Sequence, residues 1–168
     1  MLGVNLLFAG FALSLNGVSY LTKIDDRVKA IANILVGIVI GINAVFQTAA
    51  ADSYITFGFS AAMWLFSLNY LIIAAHILLK AGDYKVFGLY SLFAFIVSAV
   101  FAGDTVVNDG PAVMVFLWGM WAVLWLQSFV SIMLGVKAVD KLTPHILILN
   151  GVVGTFVPGF LILLGVIL

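Results

Sequence analysis

The chain has 168 residues, of which 65% are hydrophobic and 8% charged, with a mean hydropathy of +1.28. Soluble domains carry roughly 25% charged residues, so a soluble fold is excluded. Seven Lys/Arg balance seven Asp, which excludes a basic nucleic-acid surface, and the absence of cysteine excludes disulfides, thiolate metal sites and thiol nucleophiles.

What remains is an integral membrane protein, expected from its length to be one domain, residues 1–168. Breaking the sequence at charges and at Gly/Pro/Asp clusters predicts six apolar spans, at 2–21, 30–50, 55–79, 86–102, 111–136 and 145–168. Each is near the roughly 17–25 residues that a helix needs to cross the hydrocarbon core. Met1-Leu2-Gly3-Val4 has no positive n-region and no small-residue cleavage site follows, so the first stretch reads as a retained span rather than a signal peptide. All basic residues fall in the first, third and fifth connections: Lys23, Arg27 and Lys29; Lys80 and Lys85; Lys137 and Lys141. The second and fourth hold only Asp52, and Asp104 with Asp109. The positive-inside rule places the odd connections in the cytoplasm and both termini outside.

Within span two, Gly37 and Gly41 form a GxxxG pair suited to close helix contact. Span five carries Trp118, Trp121, Trp125 and Phe129 at offsets of three and four, so they share one helix face. Membrane tryptophans usually sit at the interfaces, whereas this ladder rises about 10 Å through mid-span at 1.5 Å per residue. Asp109-Gly110-Pro111 and Thr143-Pro144 read as helix starts, a capping residue followed by a proline in the first turn. Pro158 lies well inside span six, where it cannot bond the carbonyl of Gly154 and predicts a kink.

No Asp, Lys or Arg falls inside any span, unlike the ionisable groups that pumps and ion-coupled transporters place at membrane depth. His76 and His145 sit toward the cytoplasmic ends of spans three and six. With no nucleophile–base pair and no metal-ligand spacing, neither an enzyme nor a cofactor is expected. The spans do carry neutral amides: Asn5, Asn16, Asn43, Asn69, Gln127 and Asn150. Such groups often join helices. Asn16-Gly17 and Asn150-Gly151 lie about as far from the cytoplasmic ends of two opposed spans, so both carboxamides reach similar depth. There they can bond a small polar solute or each other. An uncharged passage of aromatic faces and amides excludes ions, which would lose hydration without compensation. It suits small flat neutral molecules such as urea and short amides. Glycerol, ammonia and water stay open on these grounds, as does a purely structural or regulatory role.

Four stretches together resemble the urea/amide channel family, AmiS/UreI: Met1-Leu2-Gly3 through Leu6-Leu7, Gly10, Asn16-Gly17 and Leu21-Thr22-Lys23-Ile24-Asp25; Tyr90-Ser91-Leu92-Phe93; Trp118, Trp121 and Trp125 with Leu124; and Leu142-Thr143-Pro144 with Asn150-Gly151 and Pro158. The resemblance implies six helices per protomer, external termini, and a hexameric ring with one pore per protomer. It implies a passive channel in the bacterial cytoplasmic membrane that supplies urea or short amides to a cytoplasmic urease or amidase. By matching motifs, Trp118, Trp121, Leu124 and Trp125 would form the constriction, with Ala9 and Leu13 from span one and Phe66 and Tyr70 from span three. The acid-gated channel of this family has long outer loops bearing histidines, and a glutamate where Asn150 stands. Here the outer connections are short and lack histidine, so gating by outside acid is not expected.

Overall fold

In a computed structural model that describes residues 1–168 the chain is entirely helical. The helices are α1 (Leu2–Leu21), α2 (Asp26–Ala49), α3 (Tyr54–Leu78), α4 (Lys85–Val107), α5 (Ala112–Leu134), α6 (Lys137–Gly151) and α7 (Val157–Leu163). A π-helical turn, Val152–Phe156, joins α6 to α7 without a break. Together they give six membrane-spanning rods, the last running from Lys137 to Leu163.

Several rods outrun the apolar spans. The α2 rod begins at Asp26 because the Asp25 carboxylate accepts the backbone N–H groups of Arg27 and Val28, at 2.8 and 3.3 Å. Charge breaks a hydropathy pattern, but it does not interrupt the i→i−4 ladder at a helix end that reaches water. For the same reason α4 runs on through Asp104, which therefore belongs to its last turn and not to the connection beyond.

Both expected proline starts need correction. Asp109 takes a left-handed conformation (φ 50°) and Gly110 N–H bonds Thr105 O at 2.8 Å, so this pair terminates α4 instead of capping α5. Pro111 is the N-cap of α5. The sixth rod starts at Lys137, seven residues before Pro144, which lies inside α6 and is buried. It packs on α1, which runs so close that a Cβ on Gly17 would stand 2.8 Å from the Pro144 carbonyl.

The rods pack in three pairs: α2 on α3, α4 on α5, and α1 along the sixth rod. Glycines set the last seam. Gly3, Gly10 and Gly17 repeat every seven residues on α1, and a Cβ on Gly10 would stand 2.6 Å from the carbonyl of Gly151. Backbone thus meets backbone, the contact that small residues permit between membrane helices. The GxxxG pair does the same for α2 and α3: Gly37 and Gly41 face Ser67, whose hydroxyl donates to Gly37 O at 2.8 Å. Of 168 residues only 46 are buried, and none of those is charged or histidine. Large apolar side chains cover the outside, as for a protein whose solvent is lipid.

Candidate functional site

The tryptophan ladder turns inward. Trp118, Trp121 and Trp125 on α5 are each 1% exposed, and Leu124 beside them is equally buried. Their rings join a continuous series that starts at the first residue of α3. Tyr54 tilts toward Phe101 of α4 (5.7 Å between centroids), which stacks on Trp118 (4.8 Å, 12°). Trp118 meets Trp121 edge-on (5.0 Å), and Trp121 meets Phe66 edge-on (5.2 Å). Phe66 then approaches Tyr70 (6.2 Å) and Trp125 (5.7 Å), and Tyr90 of α4 sits edge-on to Trp125 (6.0 Å). Offset and edge-to-face contacts at these distances fix aromatic pairs beyond simple area burial.

This aromatic slab separates two cavities. One, about 430 Å³ and called outer because the positive-inside rule expects its end of the bundle to face outward, is bounded by the start of α3, the end of α4 and the start of α5, with Trp118 in its lining. The other, about 640 Å³ and called inner on the same expectation, is lined by Leu13, Asn16, Asn69, Leu124, Trp125, Gln127 and polar residues of the basic connections. Trp118 and Trp125 are seven residues apart, about 10 Å along α5. Ala9, Phe66, Tyr70 and Trp121 fill the space between and line neither of these two cavities. All ten residues singled out in the sequence are buried, and the eight other than the two amides Asn16 and Asn150 belong to one hydrophobic cluster built around the slab.

Polar atoms in the slab divide into satisfied and orphaned. Tyr70 donates its hydroxyl proton to Ala9 O at 2.7 Å, which ties α3 to α1. Trp121 Nε1 donates to Gly154 O at 3.1 Å. Pro158 has no N–H to offer that carbonyl, and the π turn before it holds the segment in place. Thr155 adds bonds back to Asn150 O and Gly151 O at 2.8 and 2.6 Å. Where the sequence predicts a kink the helix carries a π turn, and the carbonyl that Pro158 cannot bond orients a slab tryptophan. By contrast, Trp125 Nε1 and Asn150 Oδ1 are buried with no hydrogen-bond partner. Because α5 and the sixth rod are antiparallel, one turn on from the Trp121–Gly154 bond puts Trp125 and Asn150 at one level.

Asn16 behaves otherwise than its depth suggests. It does not bond Asn150; its amide pairs reciprocally with Asn33 of α2, at 2.9 and 2.8 Å. The glycines beside Asn16 and Asn150 leave no room for solute, since they make the α1–α6 seam. Asn43 donates to Asn5 at 3.0 Å and Thr143 to Gln127 at 3.0 Å, both joining helices. Asn69 lines the inner cavity. Sequence reasoning missed Asn33, Tyr54 and Phe101. A neutral amide one turn into a span was the available signal for Asn33; nothing in the sequence separates Phe101 from the rest of the 14 Phe. His76 ends α3 with ring nitrogens 3.1 and 3.0 Å from Ile72 O and Asp83 O, away from the slab. No group of acidic, histidine or cysteine side chains converges to hold a metal ion.

Six spanning rods, a cavity toward each end and an uncharged aromatic slab between them define a multi-pass transport protein of the membrane. The chain belongs to the AmiS/UreI family of transporters, which matches residues 1–166. Over 96% of its length it is 28% identical to the acid-activated urea channel of Helicobacter pylori, 97% of which is covered. It is also 28% identical to a Mycolicibacterium smegmatis protein proposed to transport amidate substrates, with 97% and 76% of the two chains covered. The crystal structure of the Helicobacter pylori urea channel superposes with a TM-score of 0.85 over the full length of both chains, at 26% identity. Family and structural neighbours are transporters or channels, not enzymes.

Proposed function

We propose that the chain is a passive channel for urea or short-chain amides, and that the path runs from the outer cavity through the slab to the inner one. The observation that carries this reading is the orphaned pair at the inner edge of the slab. Trp125 offers one buried donor and Asn150 one buried acceptor, each without a partner. An unmet buried donor or acceptor costs about 1–3 kcal/mol. A solute that carries both a carbonyl and an N–H offsets that cost as it passes, and amides and urea carry both. Their flat faces lie on Trp118, Trp121, Trp125 and Phe66, while Ala9, Leu13, Tyr70 and Leu124 set the width. Asn16, paired with Asn33, holds the wall of the inner cavity. Ions are rejected because no buried charge replaces their water.

By the positive-inside rule the two termini lie outside and the inner cavity opens to the cytoplasm. We place the protein in the bacterial cytoplasmic membrane as a hexamer with one path per protomer, delivering solute to a urease or amidase. The names of the relatives support urea and amides as permeants. Purified protein in liposomes, loaded with potassium salt and challenged in turn with urea, acetamide, glycerol and water, tests the proposal. Urea and acetamide should cross much faster than through protein-free vesicles, without a coupling ion. Equal rates with and without protein would overturn it.

A further inference from the structure

The outer cavity carries a feature that neutral permeation does not need. Asp104, in the last turn of α4, lines it, and its Oδ2 is occluded from water without a hydrogen-bond partner. A carboxylate at a helix C-terminus is disfavoured by the dipole. No cation relieves it. The two ion pairs in the structure are Lys29–Asp26 and Lys85–Asp83, both in the basic connections at the opposite end. No Lys, Arg or His lines the cavity. The other polar groups there turn back on the chain: Thr105 Oγ1 donates to Phe101 O at 2.6 Å, and Asn108 Nδ2 to Asp104 O at 3.1 Å. The Tyr54 phenol is within hydrogen-bonding reach of the Asp104 carboxylate, whose Oδ2 it leaves unpartnered, and the rings of Tyr54, Phe101 and Trp118 complete the wall.

We infer that this cavity is a binding site for a small planar organic cation of the guanidinium or amidinium class, which plugs the outer mouth. A carboxylate takes an N–H of such a cation in a charge-assisted hydrogen bond, and aromatic rings attract the cation's face. Guanidinium has the shape of urea plus a charge. The first property admits it to the cavity, and the second holds it at Asp104 and bars it from the uncharged slab. Binding needs only the cavity; block of transport also rests on the channel reading above.

The test is calorimetric titration of the purified protein with low-millimolar guanidinium chloride, far below denaturing concentrations, at ionic strength matched with potassium chloride. Acetamide flux into liposomes is measured in parallel with guanidinium outside, each variant scaled to its own uninhibited rate. Asp104→Asn should weaken guanidinium binding and block roughly tenfold or more, the loss of one charge-assisted contact. Asp104→Glu should restore most of both, which separates a lost ligand from a damaged fold. Equal affinity in wild type and Asp104→Asn, or potassium competing as well as guanidinium does, overturns the site. Asp104-dependent binding in a protein that passes no acetamide leaves the site standing and sinks the channel reading instead.

Discussion

Two tryptophans one turn apart answer differently to the same substitution, because only one of them has a hydrogen-bond partner. Replacing either by Phe leaves a void of roughly 40 Å³, worth about 1 kcal/mol at ~24 cal/mol per Å³. Trp121→Phe also deprives Gly154 O of its donor, and Pro158 cannot supply another. A buried carbonyl left unmet adds about 1–3 kcal/mol, for a total near 2–4 kcal/mol. For a chain of this size that is a fall in Tm of about 4–15 °C. Trp125→Phe breaks no bond and removes an orphaned donor, so its cost stays near ~1 kcal/mol or below. Its effect should appear in transport. If the indole N–H meets the solute carbonyl, losing it removes about 0.5–1.5 kcal/mol. That lowers urea flux relative to glycerol, which has no carbonyl, by about 2- to 12-fold. Thermal unfolding in detergent and stopped-flow flux on the same preparations read both quantities. The reasoning fails if Trp125→Phe loses as much stability as Trp121→Phe while keeping its urea-to-glycerol ratio.

Other consequences concern topology, pH and helix packing. The protein has no cysteine, so single cysteines at the exposed positions Ser53 and Asp109 should label from outside intact cells and one at Thr22 should not. The reverse pattern would invert the orientation. No histidine lies in the second or fourth connection, so flux should change less than about twofold between pH 5 and 7.5 outside, the range where unperturbed imidazoles titrate. A severalfold rise on acidifying the outer face alone would contradict this. Gly10→Ala should cost about 1–3 kcal/mol, because its Cβ would sit 2.6 Å from Gly151 O and 2.8 Å from Phe156 N, backbone atoms that cannot step aside. An unchanged Tm would show that the α1–α6 seam is looser than described.

Composition and the spacing of charges and Gly/Pro/Asp clusters by themselves determined six spanning helices. In lipid no other open structure satisfies its backbone, and a span must have a minimum length. They also picked out one face of α5 as special, since tryptophans mid-span need a reason other than the interface. Helix ends were less legible. Hydropathy registers the edge of the hydrocarbon, whereas hydrogen bonding and caps such as Asp25 carry the helix past it, which is why Asp26, Asp104 and Lys137 turned out to be helical. Which amides are occupied and which are free was decided only in three dimensions. Asn16 and Asn150 look alike in sequence, each followed by Gly and each at the same depth. Asn16 is closed by an amide on a neighbouring helix, whereas the side-chain oxygen of Asn150 is buried without a partner. Sequence spacing fixes which atoms share a helix face. Whether a buried donor meets an acceptor depends on the partner helix, whose distance and rotation arise from contacts such as Gly10 on Gly151 that act between residues far apart in the chain.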